Sequence, residues 1–204
     1  MRFFPRTAAL LSAALLAATG AAAQTHQHAR ETTVILVRHA EKAAPAAGAM
    51  MSADPPLSPA GEQRARDLAE RLRSRHVDAI LTTQFQRTKM TARPLAEALH
   101  LTPEETPAGG DAAAHAAAVA DLIRTRYAGK TVLVVGHSNT VPKIIAALGG
   151  PAFTDICDAA YSNIFTLVIP ATGTPRVEHA HYGAPDAPSE GCTDGLRADV
   201  PQPR

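Results

Sequence analysis

Arg38-His39-Ala40-Glu41 follows directly on the apolar run Val34-Ile35-Leu36-Val37, and Val132-Leu133-Val134-Val135-Gly136-His137-Ser138 repeats that arrangement almost a hundred residues later. An imidazole serves as nucleophile, base or acid near neutral pH, and a guanidinium is a planar fork for an oxyanion. A third apolar run, Ala79-Ile80-Leu81-Thr82-Thr83, leads into Gln84-Phe85-Gln86-Arg87-Thr88. Two arginines and two histidines thus stand just past three short apolar segments, a set suited to one anion of phosphate size.

Those segments must bring the four side chains together. Short apolar runs alternating with longer amphipathic stretches predict a parallel sheet, and ligands bind at the carboxyl edge of such a sheet. The expected fold is α/β, a single three-layer domain with a mostly parallel sheet and helices on both faces.

Ser58 as N-cap and Pro59 at the first position predict a helix to about Arg75. Its apolar face holds Ala65, Leu68, Ala69 and Leu72, and Arg64, Arg66, Glu70, Arg71 and Arg73 read as a solvated face. A second helix runs from about Arg87 to Leu99, with a break expected near Arg93 because Pro94 lacks an N–H. Residues 102–110 read as a loop. Asp111 then caps an alanine-rich helix to about Tyr127, and a further helix spans Pro142 to Leu148. Ile164 to Ile169 reads as an edge or near-edge strand. The Ala43 to Asp54 stretch reads as a mobile loop over the active edge of the sheet, and no structure is assigned from Ala184 onward.

Arg2 and Arg6, the apolar stretch Ala8 to Ala18 and the small residues Ala21-Ala22-Ala23 fit a secretory leader with a cleavage site near Ala23. The expected organisation is a signal peptide at 1–23, a flexible N-terminus at 24–32, one domain at 33–183 and an irregular tail at 184–204. Without the leader, 18 basic residues face 19 acidic ones, so no global positive field attracts nucleic acid. The apolar segment is too short for a membrane span, and no stable membrane insertion is expected. Export to a periplasmic or extracellular space permits Cys157 and Cys192, the only cysteines, to pair. Such a bridge contributes ~3–4 kcal/mol on a chain-entropy account and would pin the tail.

Arg38-His39-Ala40-Glu41, Arg87-Thr88 and Gly136-His137-Ser138 together resemble the three core motifs of the histidine phosphatase superfamily, the phosphoglycerate-mutase-like proteins, over about residues 33 to 170. The resemblance implies that His39 attacks the phosphorus of a phosphomonoester and carries a phosphohistidine until water removes it. Arg38, Arg87 and His137 would bind the phosphoryl oxygens, whose charge must be met by preorganised cations. No metal and no cofactor is then needed. His39 must be neutral, with its second ring nitrogen donating to an acceptor that fixes the tautomer.

The proton for the leaving alcohol calls for an acid, and here the chain departs from familiar branches: Ser138-Asn139 follows the second histidine where many acid phosphatases have aspartate. Glu41 and Asp111 are the leading candidates. Asp111 is equally a helix cap, and Glu41 equally a partner for Arg87 or Lys42. Asp54, Glu104 and Glu105 stand behind them. With little chain to spare for a lid, the site should be shallow and open. Export disfavours a glycolytic mutase or a phosphorelay enzyme and points to exported phosphomonoesters, such as a cell-envelope sugar phosphate. The alternative is a non-catalytic phosphate-binding envelope protein with the same pocket.

Overall fold

In the computed structural model of this 204-residue chain, the described residues are 31–45, 47–48, 50 and 54–188. The signal peptide, its cleavage point and Cys192 lie outside them.

Six strands form one sheet in the order β3-β2-β4-β1-β5-β6. The strands are β1 (Thr32–Arg38), β2 (Ala79–Thr82), β3 (Glu104–Glu105), β4 (Thr131–Gly136), β5 (Asn163–Ile169) and β6 (Arg176–His181). β3, β2, β4 and β1 run parallel, while β5 is antiparallel to β1 and to β6. The helices are α1 (Pro59–Leu72), α2 (Gln86–Leu99), α3 (Ala112–Arg126) and α4 (Thr140–Ala147).

Alternation along the central strands builds the two cores. Val34 and Leu36 of β1, with Val132 and Val134 of β4, pack on Val119 and Ile123 of α3 and on Val141 and Ile145 of α4. Ile35 and Val37, with Leu133 and Val135, pack on Leu68 and Leu72 of α1 and on Leu95 of α2. β1 and β4 are apolar on both faces because a helix layer covers each side. The expected three-layer arrangement is therefore present.

Several local expectations change. α2 continues unbroken through Pro94. The proline forfeits one backbone bond, but Ala92, Leu95 and Ala96 bury the helix against the sheet on either side of it. The 102–110 stretch contains β3, two residues that extend the parallel sheet beside Leu81 and Thr82. β5 is near-edge, within the edge or near-edge placement expected of it; what the sequence did not show is β6, which pairs with it and forms the edge. Arg64, expected on a solvated face, is 4% exposed.

Candidate functional site

The parallel register sets the site. Arg38 lies opposite Gly136 at the ends of β1 and β4, and the backbone N–H of His39 donates to the Gly136 carbonyl at 3.0 Å. One residue further, the N–H of Ala40 donates to Thr91 Oγ1 of α2 at 2.9 Å, and that hydroxyl donates to the Arg87 carbonyl at 2.7 Å. The turn bearing His39 is thus tied to the turn bearing Arg87. The His39 and His137 rings lie with centroids 5.4 Å apart, nearly edge to face.

His39 Nδ1 is 2.8 Å from the Ala40 carbonyl oxygen. A carbonyl only accepts, so Nδ1 carries the hydrogen and Nε2 keeps its lone pair. Burial lowers the pKa of His39 to about 3; the Ala40 carbonyl opposes the shift, and the charges of Arg38, His137 and Arg87 reinforce it. His137 is lowered to about 4 by burial, then by Arg87. Its Nε2 is 3.0 Å from Thr83 Oγ1, which meets Thr88 Oγ1 at 2.9 Å, and Thr88 donates to the Phe85 carbonyl at 2.8 Å. Its backbone N–H donates to Thr140 Oγ1 at 2.9 Å. Both rings are consequently fixed and uncharged near neutral pH.

The guanidinium groups are held differently. Arg38 is 3% exposed, and its Nη1 donates to the carbonyls of Cys157 at 2.7 Å, Asp158 at 3.0 Å and Ala160 at 3.3 Å. Its Cζ sits 4.2 Å from the centre of the Tyr161 ring. Arg87, in the first turn of α2, stacks over Phe85 at 4.1 Å and faces Asp54 at 3.5 Å. Among the described residues, the buried side-chain polar atoms without a hydrogen-bond partner are Arg38 Nε, Arg87 Nε and Tyr182 Oη. A buried donor without a partner is costly, so two such donors beside two neutral imidazoles mark a place for an anion.

The carboxylates divide. Glu41 accepts from Arg64 Nε at 2.9 and 3.0 Å and from Arg64 Nη2 at 2.7 Å, so its partner is neither Arg87 nor Lys42. Asp111 caps α3, accepting from the Ala113 N–H at 2.8 Å. Glu104 accepts from Tyr127 Oη at 2.6 Å and pairs with Arg126, while Glu105 pairs with Lys89 at 2.6 Å. Asp54 accepts from the Gln86 N–H at 2.9 and 3.1 Å, capping the helix for which Phe85 supplies no side-chain bond.

A cavity of about 220 Å³ adjoins the anion site and is lined by Phe85, Arg87, Gly109, Gly110, His115 and His137, among others. Thr83, Thr91, Tyr161 and His115 have no signature in the sequence: a hydroxyl or a ring acquires its role here only through what it meets. Arg64 was hidden by its arginine-rich surroundings. Cys157 lends its carbonyl to Arg38 and is not a free thiol. Among the described residues no cluster of three metal-capable side chains occurs, and no helix is long and apolar enough to cross a membrane.

A family model described as histidine phosphatase superfamily (branch 1) matches residues 34–108. No curated protein matches the chain in sequence. Among solved structures, a mycobacterial glucosyl-3-phosphoglycerate phosphatase is 19% identical with a TM-score of 0.58, the match covering 76% of this chain and 100% of that one. The protein histidine phosphatase SixA, complexed with tungstate, is 19% identical with a TM-score of 0.54, covering 73% and 96%. A phosphoserine phosphatase mutant from Entamoeba histolytica, in complex with phosphoserine, is 18% identical with a TM-score of 0.53, covering 72% and 94%. At these identities the likeness is one of fold.

Proposed function

We propose that this chain, a member of the histidine phosphatase superfamily, hydrolyses phosphomonoesters through a phosphohistidine on His39. The observation that carries the reading is the pair of buried, partnerless Nε donors of Arg38 and Arg87 beside two neutral imidazoles 5.4 Å apart. Phosphoryl transfer spreads negative charge over three equatorial oxygens, and catalysis is mainly positioning and electrostatic stabilisation. Arg38 and Arg87 supply two cations. His137 joins them as a donor when a bound dianion draws a proton onto its ring.

His39 Nε2 attacks phosphorus, its ring steadied through Nδ1 by the Ala40 carbonyl. The transfer moves the ester's electron pair onto the leaving oxygen, and water then displaces His39 from phosphorus. The charge is met by guanidinium groups, so the reading includes turnover without a metal. The named neighbours act on a glucosyl phosphoglycerate, a protein histidine and phosphoserine. Their leaving groups differ widely, so the reading here stops at phosphomonoesters, with an exported sugar phosphate of the envelope as the favoured case.

The reading also includes export by the leader at 1–23, a periplasmic or secreted location, and pairing of Cys157 with Cys192. Hydrolysis of p-nitrophenyl phosphate is the direct test. Turnover that survives a chelator and disappears in His39→Ala is expected. Vanadate, a mimic of five-coordinate phosphorus, should inhibit it.

One observation favours the second reading, a phosphate-binding protein without turnover: Glu41 is committed to Arg64 and Asp111 to the α3 cap. Phosphate binding with neither burst nor turnover on the aryl ester would select it.

A further inference from the structure

The missing proton donor has a candidate that is not a carboxylate. We infer that His115, on α3, is a further catalytic residue whose Nε2 protonates the leaving oxygen while the alcohol occupies the cavity beside His137. The inference rests on the phosphatase reading and extends it.

No aspartate or glutamate lines that cavity. His115 is 8% exposed, and its Nδ1 lies 3.1 Å from the Pro107 carbonyl. Because the carbonyl only accepts, Nδ1 keeps its hydrogen, and Nε2 is the nitrogen that takes up and releases the second proton when the ring is charged. Arg87 and His137 line the cavity, whereas Arg38 and His39 do not. The cavity therefore lies to one side of the anion site, away from the nucleophile. In an in-line displacement the leaving oxygen stands opposite the attacking nitrogen, which directs the alcohol toward that side. Gly109 and Gly110 add no side chains at the rim, and a Cβ on either would meet nothing within 4 Å. The space is open to groups of varied shape, and among its lining side chains Arg87 is the one permanent cation. It suits a neutral alcohol.

The charged and titratable groups that share the cavity with His115 are Arg87 and His137, and the Pro107 carbonyl accepts from its ring. Asp111, one turn earlier, accepts the His115 backbone N–H at 3.1 Å through its carbonyl and spends its carboxylate on Ala113. Burial pushes the His115 pKa below the usual histidine value, against the pull of the Pro107 carbonyl. A bound phosphate dianion favours the protonated ring, and substrate thereby arms the acid.

The step balances. The bond from His39 Nε2 to phosphorus forms as the ester P–O bond breaks; its electron pair goes to the leaving oxygen, which takes the Nε2 proton of His115. In the second half, water attacks phosphorus, the N–P bond breaks, and the proton from water returns to His115 Nε2.

The experiment compares kcat/KM for p-nitrophenyl phosphate with that for glycerol 2-phosphate. Wild type, His115→Asn, His115→Gln, Asp54→Asn and His39→Ala are measured. Asparagine keeps a donor toward Pro107 and removes Nε2. A nitrophenolate scarcely needs a proton, whereas an alkoxide does, so His115→Asn should lose about 100-fold or more on the alkyl ester. It should change only a few-fold on the aryl ester. The ratio of the two rates is independent of the folded fraction, so partial misfolding does not obscure it, and His115→Gln repeats the measurement. The fall of alkyl-ester turnover with rising pH should also disappear in both His115 variants.

Equal losses on both esters overturn the assignment. So does a leaving-group-dependent loss in Asp54→Asn with His115→Asn unaffected. Retained turnover in His39→Ala is a different failure, that of the phosphohistidine reading itself.

Discussion

Arg64 Nη2 lies 2.7 Å from Glu41 Oε1, an ion pair between a buried guanidinium and a half-buried carboxylate two residues after His39. The same guanidinium donates through Nη1 to the carbonyls of Tyr182 at 3.0 Å and Ala184 at 2.9 Å, and it faces Asp186 at 3.7 Å. Asp186 in turn accepts from the N–H groups of Tyr161 at 2.8 Å and Ser162 at 2.9 Å, and Tyr161 stacks on Arg38. The segment after β6 is thereby connected to Glu41 through Arg64 and to Arg38 through Tyr161.

Removing one partner of a fully buried pair costs ~3–5 kcal/mol, and water reaching the half-buried Glu41 carboxylate brings the cost here to about the lower end of that range or below. Arg64→Ala should lose stability of that order in urea unfolding. Glu41→Gln should also unfold more readily, yet its ratio of alkyl-ester to aryl-ester turnover should match wild type. A selective loss on the alkyl ester would instead restore Glu41 as the acid.

At Gly61, α1 approaches the backbone of Glu41, in the turn that bears His39. A Cβ there would stand 2.3 Å from the Glu41 carbonyl oxygen, which already accepts from the Ser58 N–H at 2.9 Å. Backbone lies on both sides, so no rotamer relieves the contact. Gly61→Ala should cost at least the ~1–3 kcal/mol of ordinary overpacking, seen as a lowered melting temperature. Retention of wild-type stability would contradict the close approach.

Orthophosphate and vanadate should raise the melting temperature, because each gives the Nε donors of Arg38 and Arg87 their acceptors. At a hundredfold excess over Kd the stabilisation is about 2.7 kcal/mol. In Arg87→Ala the shift should vanish and turnover should fall by about 100-fold or more, the usual cost of losing one donor to a transition-state oxyanion. An undiminished shift would move the anion site elsewhere.

Acid should destabilise the fold through the same two rings. His39 and His137 are held neutral, with pKa values of about 3 and about 4 against 6.5 unperturbed. Between those values the unfolded chain binds more protons than the folded one, so stability rises with pH. The contribution is complete above pH 6.5 and is lost as pH falls through the window toward 3. Denaturant midpoints from pH 7.5 down to 4.5 should decline, and His137→Asn should flatten the decline. Midpoints flat with pH would mean that the rings are not buried neutral.

The strands were legible because their signal is local. Four-residue apolar runs between helical patterns place His39 and His137 one residue past β1 and β4, and a parallel register then carries both to one edge. Ser58 and Asp111 are likewise caps that three or four consecutive residues define. β3 and β6 escaped because two residues and the polar run Arg176–His181 carry no apolar alternation; they are strands because a neighbour offers an edge to pair with. Pro94 misled because its local penalty is smaller than the burial on either side.

By itself the sequence determined the βα alternation and the four side chains at the strand ends and the start of α2, since these depend on residue type and short-range period. Only the tertiary structure decided the partners: Arg64 with Glu41 across 23 positions, Arg38 with the Cys157 carbonyl across 119, and His115 beside His137. A hydrogen bond or an ion pair is a relation in space, and one chain offers many carboxylates and carbonyls to each guanidinium. Chain folding brings one of them within 3 Å and buries the pair away from competing water.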